Sequence, residues 1–202
     1  GKTRRQFGNM ILSRLPVIQT FNFQLPQPIP EAPCKHMPRQ AIEVAVAAHG
    51  EPIRITTTHL EYHTQAQRLA QAEALRNIQS NVVANIDYAA HAPASGPYAA
   101  VPRPVSSILC GDFNSAPHDA VFDVLIAADG EGDGYRDAWE VANVRQPHAP
   151  TCGIFDHKQW PQGPHCRDFF FISDTLAERN IQVSVDTETD ASDHQPVMLS
   201  VD

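Results

Sequence analysis

Apolar and polar residues alternate along several short stretches of the chain, which is the pattern of half-buried β-strands. Ile53 and Ile55, for example, alternate with polar residues, and the turn-forming residues 50–52 join this stretch to the preceding one as a hairpin. A nearly continuous apolar run over residues 167–173 fits a central strand. The whole pattern predicts strands over residues 7–14, 17–23, 41–47, 53–60, 105–110, 167–173, 181–185 and 197–201.

The apolar period changes to helical spacing in the second third of the chain. Thr64 and Gln67 match the capping-box pattern that begins many helices. Shorter helices are predicted over residues 117–127 and 135–141, and the stretches over 25–38, 91–104 and 146–164 are predicted to be loops. We interpret these loops as connections within a single domain that covers residues 1–202. The apolar positions of the long helix are Leu75, Ile78, Val82 and Ile86.

The composition is that of an ordinary globular chain, with 42% hydrophobic and 19% charged residues. A formal net charge of -8 is unfavourable for sequence-independent binding to a nucleic-acid backbone. A substrate that carries phosphate would therefore need a local positive site or a metal ion. A basic patch could still form from dispersed residues, which include Arg4, Arg5, Lys35, Arg39 and Arg103.

Two further features of the composition concern compartment and redox state. No apolar run reaches the length of a membrane span and the first residues do not match a signal peptide, so we expect a cytoplasmic protein. No Cys-x-x-Cys pair is present, which removes the usual zinc-ribbon and redox motifs. Cys152 and Cys166 flank a loop and could form a disulfide if oxidised, whereas free thiols are expected in a reducing cell. No motif indicates an oligomeric state.

A candidate site follows the strand predicted over residues 105–110, where an acid and an amide come directly after a buried segment. Because side chains alternate in an extended chain, Asp112 and Asn114 point the same way while Phe113 points into the core. The two polar groups could bind a divalent cation, or could supply a base and an orienting group for an attacking water. Aspartate and asparagine are also common turn residues, so this motif alone leaves both interpretations open.

Ionisable residues stand at the ends of three other predicted strands. His59 lies at the end of one strand and Asp168 at the head of another. Asp193 and His194 lie shortly before the last strand. Each residue taken alone is more simply a hydrogen-bonded loop or turn residue. Their shared position favours one hydrolytic site at an edge of the sheet, because rigid strands commonly carry the groups of such sites.

Four segments together resemble successive motifs of the endonuclease/exonuclease/phosphatase superfamily. This family includes DNase I-like nucleases, apurinic endonucleases, inositol polyphosphate 5-phosphatases and neutral sphingomyelinases. The order and approximate spacing of the segments match, and residues 8–16 resemble the strand that precedes them in the family. The four segments are Thr57-Thr58-His59-Leu60, Gly111-Asp112-Phe113-Asn114-Ser115, Arg167-Asp168-Phe169-Phe170-Phe171 and Ser192-Asp193-His194-Gln195-Pro196-Val197.

The resemblance implies a DNase I-like α/β fold, a four-layer sandwich in which two mixed β-sheets pack face to face between helices. It implies hydrolysis of phosphodiesters or phosphomonoesters with Mg²⁺ or Mn²⁺, held here by Asp193 and Asp112. The family also has two upstream motifs, one ending in Asn and one in Gln-Glu, that cannot be placed in this sequence. We therefore expect a family domain that is incomplete at its N-terminus and binds the metal weakly or not at all.

Roles for the remaining site residues also follow from the resemblance. Asp112 would activate the attacking water, and Asn114 would hold the phosphate or the nucleophile. His194 would contact the scissile phosphate or transfer a proton, with Asp168 hydrogen-bonded to its ring. His59 would be a second histidine on the phosphate. A carboxylate that holds one ring nitrogen fixes the tautomer of a histidine and raises its basicity, so this division is chemically consistent.

The substrate is expected to be a phosphoester, but the sequence does not choose among nucleic acid, phosphoinositides and phospholipid headgroups. Acidic composition without a basic stripe is atypical of a tight nucleic-acid binder. The alternative to an enzyme is a family-shaped domain that binds a ligand or partner without turnover. The apparently missing glutamate favours this alternative, whereas the intact set of acid, amide and histidine residues favours catalysis.

Overall fold

The computed structural model describes residues 7–48, 50–89, 91–93, 95–99, 103–127 and 134–202. The described strands are β1 (Val17–Gln24), β2 (Gln40–Ala47), β3 (Pro52–His59), β4 (Ser107–Asp112), β5 (Tyr135–Asp137), β6 (Asp168–Ser173), β7 (Ile181–Val185) and β8 (Val197–Val201). The described helices are α1 (Gln65–Ala84), α2 (Ile86–Ala89), α3 (Ala120–Ile126), α4 (Ala138–Ala142) and α5 (Asp174–Ala177).

Six strands form one mixed sheet in the order β1-β2-β3-β4-β6-β5. Strands β2 and β3 pair antiparallel as the predicted hairpin. Strands β3 and β4 are parallel and are separated in sequence by α1, so both end at the same edge of the sheet. Strand β6 runs antiparallel to β4, so its first residue lies at that same edge. This edge therefore collects the last residues of two strands and the first residue of a third.

Helices α1 and α3 cover one face of the six-stranded sheet. Leu109 of β4 and Phe171 of β6 are register partners on this face. Both are fully buried, and they belong to one apolar cluster with Leu75 of α1 and Phe122 of α3. Burial of each such side chain contributes roughly 1.5–3 kcal/mol before entropy is counted. This packing fixes the strands that carry the candidate site.

The start of α1 differs from the sequence prediction in its chemistry. Thr64 is the N-cap residue, but its side chain makes no capping hydrogen bond. Gln67 is instead buried and donates from Nε2 to the carbonyl of Pro28 at 2.7 Å. Gln71 and Gln79 are buried in the same way and donate to loop carbonyls. Because Gln67 holds the proline-rich loop against the helix, it does not complete a capping box.

Strands β7 and β8 form a second, antiparallel sheet that packs on the other face of the six-stranded sheet. Ile181 and Val183 of β7 share a buried cluster with Ile172 of β6. The outward-facing side chains of this small sheet, such as Ser184 and Met198, are exposed, so no described helix covers its outer face. The predicted α/β sandwich of two packed sheets is confirmed, with one sheet mixed and the smaller one antiparallel.

Two predicted elements are wrong. Residues 7–14 contain no strand, because their apolar side chains have no core to enter: Met10 and Leu12 are 74% and 84% exposed. Residues 135–141 do not form one helix, because residues 135–137 pair with β6 as β5. Helix α4 then begins at Ala138, where Oδ1 of Asp137 accepts a hydrogen bond from the backbone N–H of Trp139 at 2.8 Å.

The two cysteines that flank the predicted loop are not joined by a disulfide. Cys152 and Cys166 are buried free thiols. Burial raises the pKa of both thiols to about 12, so both stay protonated at neutral pH. None of the helices in the described ranges is long and apolar enough to cross a membrane.

Candidate active site

Three of the predicted site residues lie side by side at one edge of the large sheet. His59, the last residue of β3, is the register partner of Asp112, the last residue of β4. Asp112 is in turn the register partner of Asp168, the first residue of β6. Register partners on neighbouring strands point to the same face, so the three side chains form one row. Nε2 of His59 lies 3.4 Å from Oδ2 of Asp112.

The residue before Asp112 must be glycine for this row to form. Gly111 has a φ of +141°, a conformation that side chains of L-residues rarely adopt. A Cβ atom at this position would lie 1.9 Å from the carbonyl oxygen of Thr58 on β3. The backbone of β3 therefore occupies the space that a side chain at position 111 would need, directly before the paired residues His59 and Asp112.

Asn114 follows Asp112 in a tight turn and is buried. Its φ of +49° lies in the left-handed region, which asparagine tolerates better than most residues. Its backbone N–H donates to Oδ1 of Asp112 at 2.7 Å, and its side-chain Nδ2 donates to the carbonyl of Leu60 at 2.9 Å. The turn thus fixes the Asp112 carboxylate and ties the end of β4 to the end of β3.

His194 joins the row from the loop that precedes β8. Its Nδ1 donates to Oδ2 of Asp168 at 2.8 Å, while its Nε2 lies 3.9 Å from Oδ2 of Asp112. The ring therefore stands between two carboxylates, bonded to one of them and facing the other. This arrangement fixes the orientation of the imidazole and leaves Nε2 toward the open side of the site.

Thr151 is a site residue that the sequence analysis missed. Its Oγ1 donates to Oδ2 of Asp168 at 2.6 Å, so it shares that oxygen with His194. Its carbonyl accepts a hydrogen bond at 2.7 Å from the backbone N–H of Gln195, the residue after His194. Thr151 therefore holds both members of the pair. It lies in a long loop with no periodic pattern, and nothing in its sequence surroundings marks it.

The charges in this row shift the pKa values of three groups. Burial, and after it the charge of Asp168, raise the pKa of Asp112 to about 6. The hydrogen bond to Asp168 raises the pKa of His194 above its usual value. Burial, and after it the charge of Arg39, lower the pKa of His59 to about 4. At neutral pH the site therefore contains an ionised Asp112, a neutral His59 and an increased fraction of protonated His194.

The same residues could hold a metal ion. Asp112, Asp168 and His194 each offer a ligand atom, and these atoms lie within 4.8 Å of one another. Carboxylate oxygens suit Mg²⁺ and Mn²⁺, whereas an imidazole ligand is more typical of transition metals. A cation bound in this row would oppose the two causes that raise the pKa of Asp112, which are burial and then the charge of Asp168. Asp193 is not in this group: its carboxylate is exposed and accepts a long hydrogen bond, 3.4 Å, from Nε2 of Gln159.

Within the described part of the chain, the predicted basic patch is reduced mainly to Lys35, which is exposed. Arg4 and Arg5 lie outside the described residues. Arg39 and Arg103 each form an ion pair with a buried glutamate. These two cations are therefore largely neutralised within the fold, and they do not offset the net acidity of the chain as a free surface would.

The sequence of this chain matches one known protein family. Residues 1–194 match the endonuclease/exonuclease/phosphatase family model, and the chain belongs to that family. A comparison with curated protein sequences finds no significant match.

Solved structures share the fold. A mannosyl-6-phosphatase from Bacteroides thetaiotaomicron superposes with a TM-score of 0.61 at 17% identity, over 93% of this chain and 67% of that one. The human Nocturnin catalytic domain gives 0.57 at 18% identity, over 93% and 61%. A 3′ phosphatase from Neisseria, bound to a product DNA hairpin, gives 0.60 at 18% identity, over 94% and 73%. The chain spans about two thirds of the length of such structures, and the DNase I-like fold prediction is confirmed.

Proposed function

We propose that the chain is a divalent-metal-dependent phosphoesterase that reacts at the row of His59, Asp112 and Asp168 together with His194. The observation that carries the proposal is the position of the His194 ring, hydrogen-bonded to one carboxylate and facing a second one. Membership of the family supports phosphoester chemistry. The named phosphatases among the structural neighbours are consistent with it.

Asp112 is the base for the attacking water in this proposal. A general base works best when its pKa lies near the working pH, because it must be ionised and still accept a proton. Burial and the neighbouring Asp168 bring the pKa of Asp112 to about 6, which meets this condition. The N–H of Asn114 holds Oδ1, so Oδ2 is the oxygen that would take the proton.

His194, held in place by Asp168, supplies the positive charge and the proton. Asp168 accepts from Nδ1, so the protonated ring presents an N–H at Nε2. That N–H would donate to a phosphate oxygen or pass its proton to the leaving group. Thr151 and Asp168 act as positioning residues, because they hold the ring rather than contact the phosphate.

His59 and Asn114 would contact the phosphate as neutral groups. The lowered pKa of His59 keeps its ring uncharged at neutral pH, so it contributes a hydrogen bond and not an ionic contact. The side-chain Nδ2 of Asn114 donates one hydrogen to the carbonyl of Leu60. Its second hydrogen would be available to the phosphate or the water.

The metal would be held by Asp112 and Asp168, with Asp193 retained as a further proposed ligand; His194 could be a fourth ligand only while its ring is neutral and Nε2 carries no proton. When bound, it would offset the negative charge that accumulates on the phosphate in the transition state. A low affinity is expected, because three or four protein ligands leave much of the coordination shell of a hard cation to water.

The experiment that tests the proposal is a hydrolysis screen of the purified chain with plasmid DNA, RNA, bis-p-nitrophenyl phosphate and sphingomyelin. We expect turnover of at least one of these in Mn²⁺ or Mg²⁺, and its loss in a chelator. Binding of a substrate without turnover, with every metal at millimolar concentration, would favour a non-catalytic binding domain.

The metal role of Asp193 has a matched control on the same loop. Asp193→Asn should raise the Mn²⁺ concentration needed for half-maximal activity. Asp190→Asn removes an equally exposed acid nearby and should leave that concentration unchanged. Equal metal dependence of the two variants would remove Asp193 from the ligand set.

A further inference from the structure

We propose that a cavity beside the candidate active site binds a second phosphate group of the substrate, so that phosphoesters with at least two phosphate groups are preferred. This inference rests on the proposed function. The cavity has a volume of about 450 Å³, which is large enough for a phosphate and part of the group that carries it. Its polar and aromatic lining includes Lys35, His36, Arg39, Tyr62, His63 and Gln159.

The first observation is an unsatisfied donor on Arg39. This residue is only 7% exposed, and its Nε pairs with Oε2 of Glu61 at 3.3 Å. Its Nη1 is buried and has no hydrogen-bond partner among the described residues. A buried donor without a partner costs roughly 1–3 kcal/mol, and more when it is charged. Arg39 lines the cavity, and a rotation of its side chain would bring Nη1 to a phosphate oxygen bound there.

The acid beside Arg39 does not need that donor. Glu61 already accepts from the backbone N–H of His63 at 2.9 Å and of Met37 at 3.2 Å, in addition to Nε of Arg39. Burial alone would raise the pKa of Glu61, but these hydrogen bonds outweigh burial and lower it, so the carboxylate stays ionised. The remaining face of the Arg39 guanidinium is therefore available to a ligand.

Two further donors line the cavity. Nδ1 of His36 lies 2.7 Å from the amide nitrogen of Gln27, which can only donate. The proton of the neutral His36 ring is therefore on Nε2, which makes this atom a donor. Lys35 is exposed and adds a positive charge. With Arg39 balanced by Glu61, the lining is positive, in contrast to the net charge of -8 of the whole chain.

The cavity is next to the row of catalytic groups. Tyr62 of the cavity contacts Trp160 with 6.2 Å between ring centroids, and Trp160 contacts His194 at 6.3 Å. Gln159, another lining residue, donates to Asp193 at 3.4 Å. One extended substrate could thus place one phosphate at His194 and a second one at Arg39. Tyr62, which is 46% exposed, offers a surface for a sugar or base.

Binding measured without metal tests this inference separately from catalysis. Thymidine dinucleotides with no terminal phosphate, a 5′ phosphate or a 3′ phosphate are titrated in a chelator, with backbone amide NMR shifts of Tyr62 and His63 as the readout. We expect at least one of the two phosphorylated dinucleotides to bind about tenfold more tightly than the unphosphorylated dinucleotide. This is the gain that one charged hydrogen bond would give. Lys35→Ala and Arg39→Lys should remove most of this preference.

Arg14→Ala is the matched control, because it removes an exposed cation that does not line the cavity, and it should keep the preference. Equal affinities for the three dinucleotides would overturn the inference, as would an unchanged preference in Lys35→Ala. A separate titration with inorganic phosphate tests whether the cavity binds free phosphate. If inorganic phosphate shifts the Tyr62 amide but the three dinucleotides bind equally well, the inference of a second substrate phosphate is overturned. Absence of hydrolysis in Mn²⁺ would defeat the proposed function but would leave these affinities to decide the inference.

Discussion

Two histidine–aspartate pairs in the described part of the chain have similar hydrogen-bond lengths but different surroundings. His194 Nδ1 donates to Asp168 at 2.8 Å, and His148 Nε2 lies 2.6 Å from Asp137. The side chains of the first pair are 23% and 19% exposed, and those of the second are 6% and 2% exposed. The first pair stands at the edge of the sheet, and the second is closed inside the protein.

The difference is in what the remaining atoms of each pair contact. The second oxygen of Asp137 caps α4, and the His148 ring stacks on Trp139 at 5.7 Å and contacts Phe169 at 5.5 Å. Both carboxylate oxygens of Asp137 and the ring of His148 are thus used inside the fold. The second nitrogen of His194 instead faces Asp112 at 3.9 Å on the open side. A histidine–aspartate pair is therefore structural or catalytic according to what its free nitrogen can reach.

The largest expected difference is between alanine variants of the two histidines. His194→Ala should lower the kcat of phosphodiester hydrolysis by roughly a hundred- to ten-thousand-fold, the usual contribution of a general acid or base. Its free energy of unfolding should change little, because the side chain is partly exposed. His148→Ala should destabilise the fold by about 3 kcal/mol, since it leaves a buried acid without its partner, and should retain kcat.

Urea unfolding and initial rates on the same preparations check this pair of predictions. A loss of stability without a loss of kcat in His194→Ala would reverse the assignment of the two pairs.

A smaller effect is expected from the threonine that supports the exposed pair. Thr151→Val removes the hydroxyl that donates to Asp168, so His194 loses part of its support. We expect kcat to fall about tenfold, because a misplaced catalytic group loses rate steeply with position, and KM to stay nearly constant. Thr175→Val is the control, since Thr175 hydrogen-bonds near the far end of β6 and should not affect kcat. Equal kcat values for both variants would exclude a positioning role for Thr151.

The smallest expected effect concerns stability against pH. The folded-state pKa of Asp112, about 6, lies above its usual 3.8, so its contribution destabilises the fold as pH rises through 4 to 6. The folded-state pKa of His59, about 4, lies below its usual 6.5, so its contribution stabilises the fold as pH rises through 4 to 6.5. The two contributions oppose each other in the wild type.

Single variants of Asp112 and His59, measured in a chelator, separate the two contributions to stability. Relative to the wild type, Asp112→Asn should become more stable between pH 4 and pH 7, by up to about 3 kcal/mol. His59→Gln should become less stable over the same range. Urea midpoints measured at each pH provide the test, and parallel curves for all three proteins would show that the pKa shifts are absent.

Much of the sheet could be predicted from the sequence, because alternation reports which face of a strand is buried. The hairpin and the strands β6, β7 and β8 follow the predicted pattern closely. Alternation fails for residues 7–14, where the apolar side chains of Met10 and Leu12 meet no core. It also fails for residues 135–137, because a three-residue strand is too short to show a period.

The site could be predicted in part for a related reason. His59, Asp112 and Asp168 sit at strand ends, and a register that is fixed by buried neighbours brings strand ends together. Thr151 and the donors around Arg39 lie in loops or act through tertiary hydrogen bonds, which leave no periodic trace in the sequence. The buried histidine–aspartate pair shows a second limit of sequence analysis. Residue type alone does not distinguish the structural His148 from the proposed catalytic His194.

The most direct test of the catalytic row is Asp112→Asn, measured at pH 7 for activity in Mn²⁺ and for stability in a chelator. Asparagine at position 112 keeps an oxygen that can accept the hydrogen bond from the backbone N–H of Asn114. It removes the negative charge that repels Asp168. We predict that kcat/KM falls by roughly a hundred-fold or more while the free energy of unfolding rises. An unchanged kcat/KM, or a fall in both quantities together, would contradict this prediction.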